Sequence, residues 1–122
     1  MKEWQERFLR LIKDEPLIVH HTASPDYLQL QLATPLDDRD DAILLYLIDE
    51  GNNEYSLSEQ AWISILLPYE NDNLTEEIIL EEAKKAGFEA SGLNLYRMVD
   101  ESNLIQTIRD FDTLIKTLQS RH

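Results

Sequence analysis

Asp37-Asp38-Arg39-Asp40-Asp41 places four carboxylates in five residues, the densest run of oxygen ligands in the chain. Hard cations such as Ca²⁺ and Mg²⁺ are held by oxygen ligands, so this is where a small metal-dependent enzyme would find its ion. The spacing argues against that use. A calcium loop needs alternate acidic positions followed by Gly, which is missing here, and Arg39 supplies a competing cation. A solvated hairpin tip that blunts edge-to-edge aggregation is the commoner role of such a run. The expectation is therefore no metal and no cofactor, with Asp37, Asp38, Asp40 and Asp41 free to meet a basic partner.

Other chemistry is weaker still. Glu82-Ala83-Lys84 has the Glu-x-Lys letters of a metal-dependent nuclease half-motif, but it falls on a helical pattern in strongly negative surroundings that would repel a nucleic acid. His20 and His21 are adjacent on a candidate strand, where neighbours point to opposite faces and cannot chelate one ion. No Gly-x-Ser-x-Gly elbow occurs, and the remaining histidine is the terminal His122. With three Gly there is no phosphate-cradling loop, and without Cys there is neither a disulfide nor a thiolate site. Trp62, on an apolar helix stripe, is expected in the core. No catalytic residue is assigned.

The formal charge of −13 is concentrated. Residues 1–36 carry four Lys/Arg against five Asp/Glu, and residues 83–122 carry six against five. Residues 37–82 carry one Arg against fourteen acids, so the excess lies in the middle third. Such a field repels nucleic acid and anionic membranes and attracts basic surfaces, although solubility alone also accounts for it. The longest apolar run, Ala42 to Ile48, is far short of the ~20 residues that span a bilayer. The start Met1-Lys2-Glu3-Trp4-Gln5 has no apolar signal region. Both point to a cytoplasmic protein away from membranes.

The elements that would position these residues can be read from periodicity. Lys2 to Asp14 is a helix with Trp4, Phe8, Leu11 and Ile12 on one stripe, stopped by Pro16. Leu17-Ile18-Val19 is a short strand leading to the histidines. Leu28 to Leu32 alternates as a half-buried strand, Ala42 to Ile48 is apolar throughout and so expected to be covered on both faces, and Glu54 to Leu57 alternates again. Ser58 is the expected N-cap of a helix containing Ala61, Trp62, Ile65 and Leu66 that ends before Pro68. Asn73 and Glu76 have the form of a capping box for a helix running to Ala86, with Gly87 as its left-handed C-cap. Phe88 to Ala90 and Leu93 to Val99 form a second, smaller β-pair. Glu101 to Gln119 is a long amphipathic helix capped by Asp100 or Ser102. The order α-β-β-β-β-α-α-β-β-α describes one α+β domain over residues 1–122, an antiparallel meander packed with helices.

Two blocks resemble a prokaryotic family known as domain of unknown function 1828. One is Leu32-Ala33-Thr34-Pro35-Leu36-Asp37-Asp38-Arg39-Asp40-Asp41, then Ile43 to Ile48 and Tyr55-Ser56-Leu57; the other is Ala83-Lys84-Lys85-Ala86-Gly87-Phe88 with the closing helix. The family often follows its Tyr-x-Leu strand with Asp-Asp-Gly, where Ser58-Glu59-Gln60 stands here. The resemblance implies an α+β fold and a phage-like or mobile-element setting, and no catalytic residues.

Charge and motifs together lead to a non-enzymatic interaction protein that docks on a basic surface, that of a nucleic-acid-binding protein among them, as a nucleic-acid-mimicking inhibitor or accessory subunit. Its contact residues would be Asp37, Asp38, Asp40 and Asp41 with Glu77, Glu81 and Glu82. The alternative is a small metal-dependent enzyme built on the Asp37–Asp41 loop. Oligomeric state is not encoded in any of these features.

Overall fold

A computed structural model describes residues 1–35 and 42–121, so the Asp37–Asp41 run lies outside the described residues. Four helices, α1 (Glu3–Ile12), α2 (Trp62–Glu70), α3 (Glu76–Lys85) and α4 (Leu104–Gln119), accompany six strands. These are β1 (Ile18–Ser24), β2 (Tyr27–Pro35), β3 (Ala42–Gly51), β4 (Glu54–Ser58), β5 (Glu89–Ser91) and β6 (Asn94–Val99). The element order is the one expected, and the class is α+β.

All six strands join one antiparallel sheet in the order β1-β2-β3-β4-β6-β5. The second β-pair is therefore not separate: β6 hydrogen-bonds to β4, with Tyr55 opposite Val99 and Ser58 opposite Tyr96. Antiparallel strands need no crossover to pair, so a strand arriving after two helices can still extend the meander. The β3–β4 connection is a two-residue turn in which Asn52 (φ 54°) and Asn53 (φ 60°) both take the left-handed conformation, the form whose twist matches a hairpin.

The core lies between one face of the sheet and the helices. Leu28, Leu30 and Leu32 of β2, Ile43, Leu45 and Leu47 of β3, Leu57 of β4 and Leu95 of β6 are buried there. Against them sit Trp4, Phe8 and Ile12 of α1, Ile79 and Ala83 of α3, and the α4 stripe Leu104, Ile108, Phe111, Ile115 and Leu118. Phe8 meets Tyr55 with centroids 5.0 Å apart, and Phe111 meets Phe88 at 4.2 Å. Leu11, expected on the inward stripe of α1, is instead exposed.

Several sequence expectations are corrected. The β3 strand is not covered on both faces: Ile43, Leu45 and Leu47 are buried while Leu44, Tyr46 and Ile48 are half-buried on the other side. Ser58 does not cap α2, because it completes β4 and the N-cap is Ala61. Pro68 lies inside α2, in its last turn, where a missing N–H costs one bond, and Asn71 still closes on Leu67 at 3.1 Å. The cap of α3 is Thr75, whose hydroxyl accepts from the Ile78 amide, so Asn73 and Glu76 form no capping box. At the start of α4, Asp100 ties the turn by accepting from the amides of Ser102 and Asn103, and the helix begins three residues later than expected.

Candidate functional site

The sheet face turned away from the core is the feature that needs explaining. Alternation along each strand places Tyr27, Gln29 and Gln31 of β2, Leu44, Tyr46 and Ile48 of β3, Ser56 and Ser58 of β4, and Tyr96 and Met98 of β6 on it. Cross-strand register makes two rows: Tyr27, Ile48, Ser56 and Met98 in one, Gln29, Tyr46, Ser58 and Tyr96 in the next. The two serines are buried between larger neighbours and floor a trough about 500 Å³ in volume, rimmed by Glu50, Glu54, Tyr96 and Met98. Ser56 donates its hydroxyl to Glu50 at 2.6 Å, and Gln60 donates its amide to Ser58 at 2.8 Å.

Next to this trough, and sharing Ile48 with it, a groove of about 520 Å³ lies between the β1–β2 turn and α2. Asp26, Tyr27, Tyr46, Ile48, Trp62 and Ile65 line it. Trp62 is 47% exposed and Ile65 54%, which corrects the expectation that this tryptophan is core. The side of α2 that enters the core is instead the one carrying Ile63 and Leu67.

Two buried polar side chains hold this region in place. Gln5 of α1 donates through Nε2 to the carbonyls of Ser24 and Tyr27, the residues either side of the turn that carries Asp26. Glu59 is fully buried, and its carboxylate accepts from the amides of Ile63 and Leu95, both at 2.9 Å. Burial pushes the Glu59 pKa up, against these backbone bonds, which pull it down. Between Glu59 and Trp62 the chain is strained: Gln60 (φ 57°) and Ala61 (φ 67°) are consecutive left-handed residues, a conformation that a Cβ opposes.

The cations are confined to one side of the sheet, where they mix with the acids of the helices. Every Lys and Arg among the described residues belongs to α1, α3, α4 or their flanking residues, except Arg97, which turns to the helix side to meet Thr107 and Asp110 of α4. On the open side stand Asp26, Glu50, Glu54 and Glu89, the last opposite Tyr96 in the register.

The residues named from sequence are placed differently. Glu77 and Glu81 are exposed on α3, and Glu81 pairs with Lys85 at 3.4 Å. Glu82 retains 17% of its side-chain exposure and is held by Lys85 at 3.5 Å and Arg121 at 3.1 Å. The chain thus neutralises part of this acidic cluster itself. Asp37, Asp38, Asp40 and Asp41 fall outside the described residues. Among those described, no group of three His, Asp or Glu is placed to hold a metal ion. No helix among them is long and apolar enough to cross a membrane.

No known relative assigns a role to this surface. No family model matches the chain, and neither a curated protein nor a solved structure does.

Sequence reading missed the open face for identifiable reasons. Tyr27, Tyr46 and Trp62 are apolar-bodied residues that a core also uses, so residue type alone did not mark them. The available signal was Gln29 and Gln31: with Leu28, Leu30 and Leu32 buried, they state that the other side of β2 meets water, and β3 shares that side.

Proposed function

We propose that this protein is a non-catalytic interaction module that docks on a basic partner surface through the open face of its sheet. The observation that carries the reading is the division of charge: the open face offers tyrosines, Met98 and carboxylates with no Lys or Arg among the described residues, while the cations lie on the helix side. An exposed apolar patch rimmed by one sign of charge is the usual form of a protein-binding surface. Tyrosine supplies contact area at low entropic cost, and the carboxylates steer a basic partner and select against acidic ones. A basic nucleic-acid-binding protein fits this description, with the chain acting as its inhibitor or accessory subunit. A phage-like or mobile-element setting, implied by the resemblance to domain of unknown function 1828, is compatible with that role. Asp37, Asp38, Asp40 and Asp41 join the proposal through charge alone; Glu77, Glu81 and Glu82 stand on α3, on the helix side, and add to the net negative field without belonging to the docking face.

Titration of the labelled protein with an arginine-rich, protamine-type peptide tests it. Saturable shifts are expected at Ser56, Tyr96 and Met98, with little at α1 or α4. Affinity should fall several-fold as NaCl rises from about 50 mM to about 300 mM, because rim charges are screened over this range. Joint Glu50→Gln, Glu54→Gln and Glu89→Gln changes should weaken binding while the melting temperature holds. Shifts confined to the helix side, or an affinity indifferent to salt, would reject the open face as the docking surface.

A further inference from the structure

The groove between the β1–β2 turn and α2 differs in chemistry from the serine-floored trough beside it. Three of its lining residues, Tyr27, Tyr46 and Trp62, are aromatic, and its one charged lining residue is Asp26. Tyr27 and Tyr46 meet at 5.6 Å between centroids with their planes at 65°, so two ring surfaces are turned at a steep angle to one another. Trp62 makes no ring contact among the described residues and stays half in water. An aromatic face is negative, and several faces around one space form the environment that attracts an organic cation.

The groove is also held in shape before any ligand arrives. Gln5 pins the carbonyls on both sides of the Asp26 turn, and the Asp26 carbonyl accepts from the Asp49 amide at 3.1 Å. Its carboxylate has no partner among the described residues. On the other wall, the strained Gln60-Ala61 step presents Trp62 as the first residue of α2, with Gln60 anchored through its amide to Asn94 at 2.9 Å. Strain of this kind persists where the surroundings over-determine it, and it is commonest at functional sites.

We infer that this groove binds an organic cation, an alkylated ammonium or guanidinium head, presented by a side chain of the basic partner; the inference rests on the open face being the docking surface. Such heads are weakly hydrated compared with a free ammonium, so they leave water at less cost and gain from the rings and from Asp26. A neutral apolar side chain would gain from Trp62, Ile48 and Ile65 but would leave the Asp26 charge less solvated and uncompensated. An anion would meet Asp26 and the ring faces, both negative.

The test uses small probes with the full chain: trimethyllysine amide, arginine amide, choline, and 3,3-dimethylbutan-1-ol, the neutral analogue of choline. Binding is read from Trp62 fluorescence and from the ring signals of Tyr27 and Tyr46, with the buried Trp4 reporting that the fold is intact. The three cations should bind saturably, at least tenfold tighter than the neutral analogue. Asp26→Asn should weaken them threefold or more, and Trp62→Ala should abolish binding with no loss of melting temperature. Equal binding of the neutral analogue, or no saturable change, would overturn the cation site. Choline binding tenfold tighter than both amides would overturn delivery by a partner side chain. The arginine-rich peptide separates this from the broader reading. Salt-dependent docking that survives unchanged in Asp26→Asn and Trp62→Ala would remove the cation groove and leave the docking face standing. Probes that bind while the peptide does not dock on the unaltered protein would remove the docking face, and with it delivery by a partner side chain, and leave only a groove for free cations.

Discussion

Glu59 and Leu95 are bonded in both directions: the Leu95 amide donates to the buried Glu59 carboxylate at 2.9 Å, and the Glu59 amide donates to the Leu95 carbonyl at 3.2 Å. The other carboxylate oxygen takes the Ile63 amide, so one side chain joins β6 to the first turn of α2, where Trp62 stands. Glu59→Ala would leave two buried amides without acceptors, at about 1–3 kcal/mol each. A loss of about 2–4 kcal/mol in urea unfolding at neutral pH is expected, with a smaller loss for Glu59→Gln, which keeps one acceptor oxygen. The pH dependence has a definite sign. Burial raises the folded-state pKa, so holding the ionised form costs stability above that value, and the cost is relieved as pH falls toward the ordinary glutamate range. Wild type should therefore gain on Glu59→Gln as pH drops from about 7.5 to about 5. A difference between the two that is flat over this window would show that burial does not dominate.

Leu44 and Leu45 are chain neighbours with opposite surroundings, Leu45 buried under the helices and Leu44 half-buried on the open face. Leu45→Asp would bury an unpaired charge and should cost more than about 4 kcal/mol, enough to unfold a marginal domain. Leu44→Asp can reach water and should cost about 1 kcal/mol or less. Comparable melting losses for the two would mean that the second face of β3 is covered after all.

Element order was legible because the strongest periodicities survive into the structure. Leu104, Ile108, Phe111, Ile115 and Leu118 repeat at helical spacing and all are buried in α4; Leu28, Leu30 and Leu32 alternate and all face the core. What was not legible depended on contacts between elements. The segment Ala61-Trp62-Ile63-Ser64-Ile65-Leu66-Leu67 is apolar on nearly every side, so its period could not choose between burying Trp62 with Ile65 and burying Ile63 with Leu67. The choice was made by Glu59, which reaches forward to the Ile63 amide, and by the Gln60-Ala61 turn that precedes the helix. An acid in a polar triplet after a strand reads as surface; its burial follows from the orphan amides of α2 and β6, which no local pattern displays. Likewise the α3 glutamates read as a free acidic cluster because Arg121, which pairs with Glu82, is far away in sequence.

Arg97 and Gly87 give the last test, since each constrains the other. The Arg97 guanidinium donates to the carbonyls of Ala86 at 2.7 Å and Gly87 at 3.3 Å, pairs with Asp110 at 2.7 Å, and lies 4.3 Å from the centroid of the Phe88 ring. It thereby satisfies the exposed carbonyls at the end of α3 and fastens them to α4, a task for a planar fork that a lysine cannot fill. Arg97→Lys should cost about 1.5–3 kcal/mol in urea unfolding, the range for hydrogen bonds to a charged group. Gly87 has φ 88°, and a Cβ there would stand 3.2 Å from a guanidinium nitrogen of Arg97. Gly87→Ala should therefore cost the left-handed penalty of about 1–2 kcal/mol together with displacement of the fork. Because both changes disturb the same bonds, the double variant should lose measurably less than the two single losses combined, by about 0.5 kcal/mol or more. Strict additivity would mean that Arg97 re-forms its bonds around the new methyl group, and that the αL backbone alone accounts for the glycine.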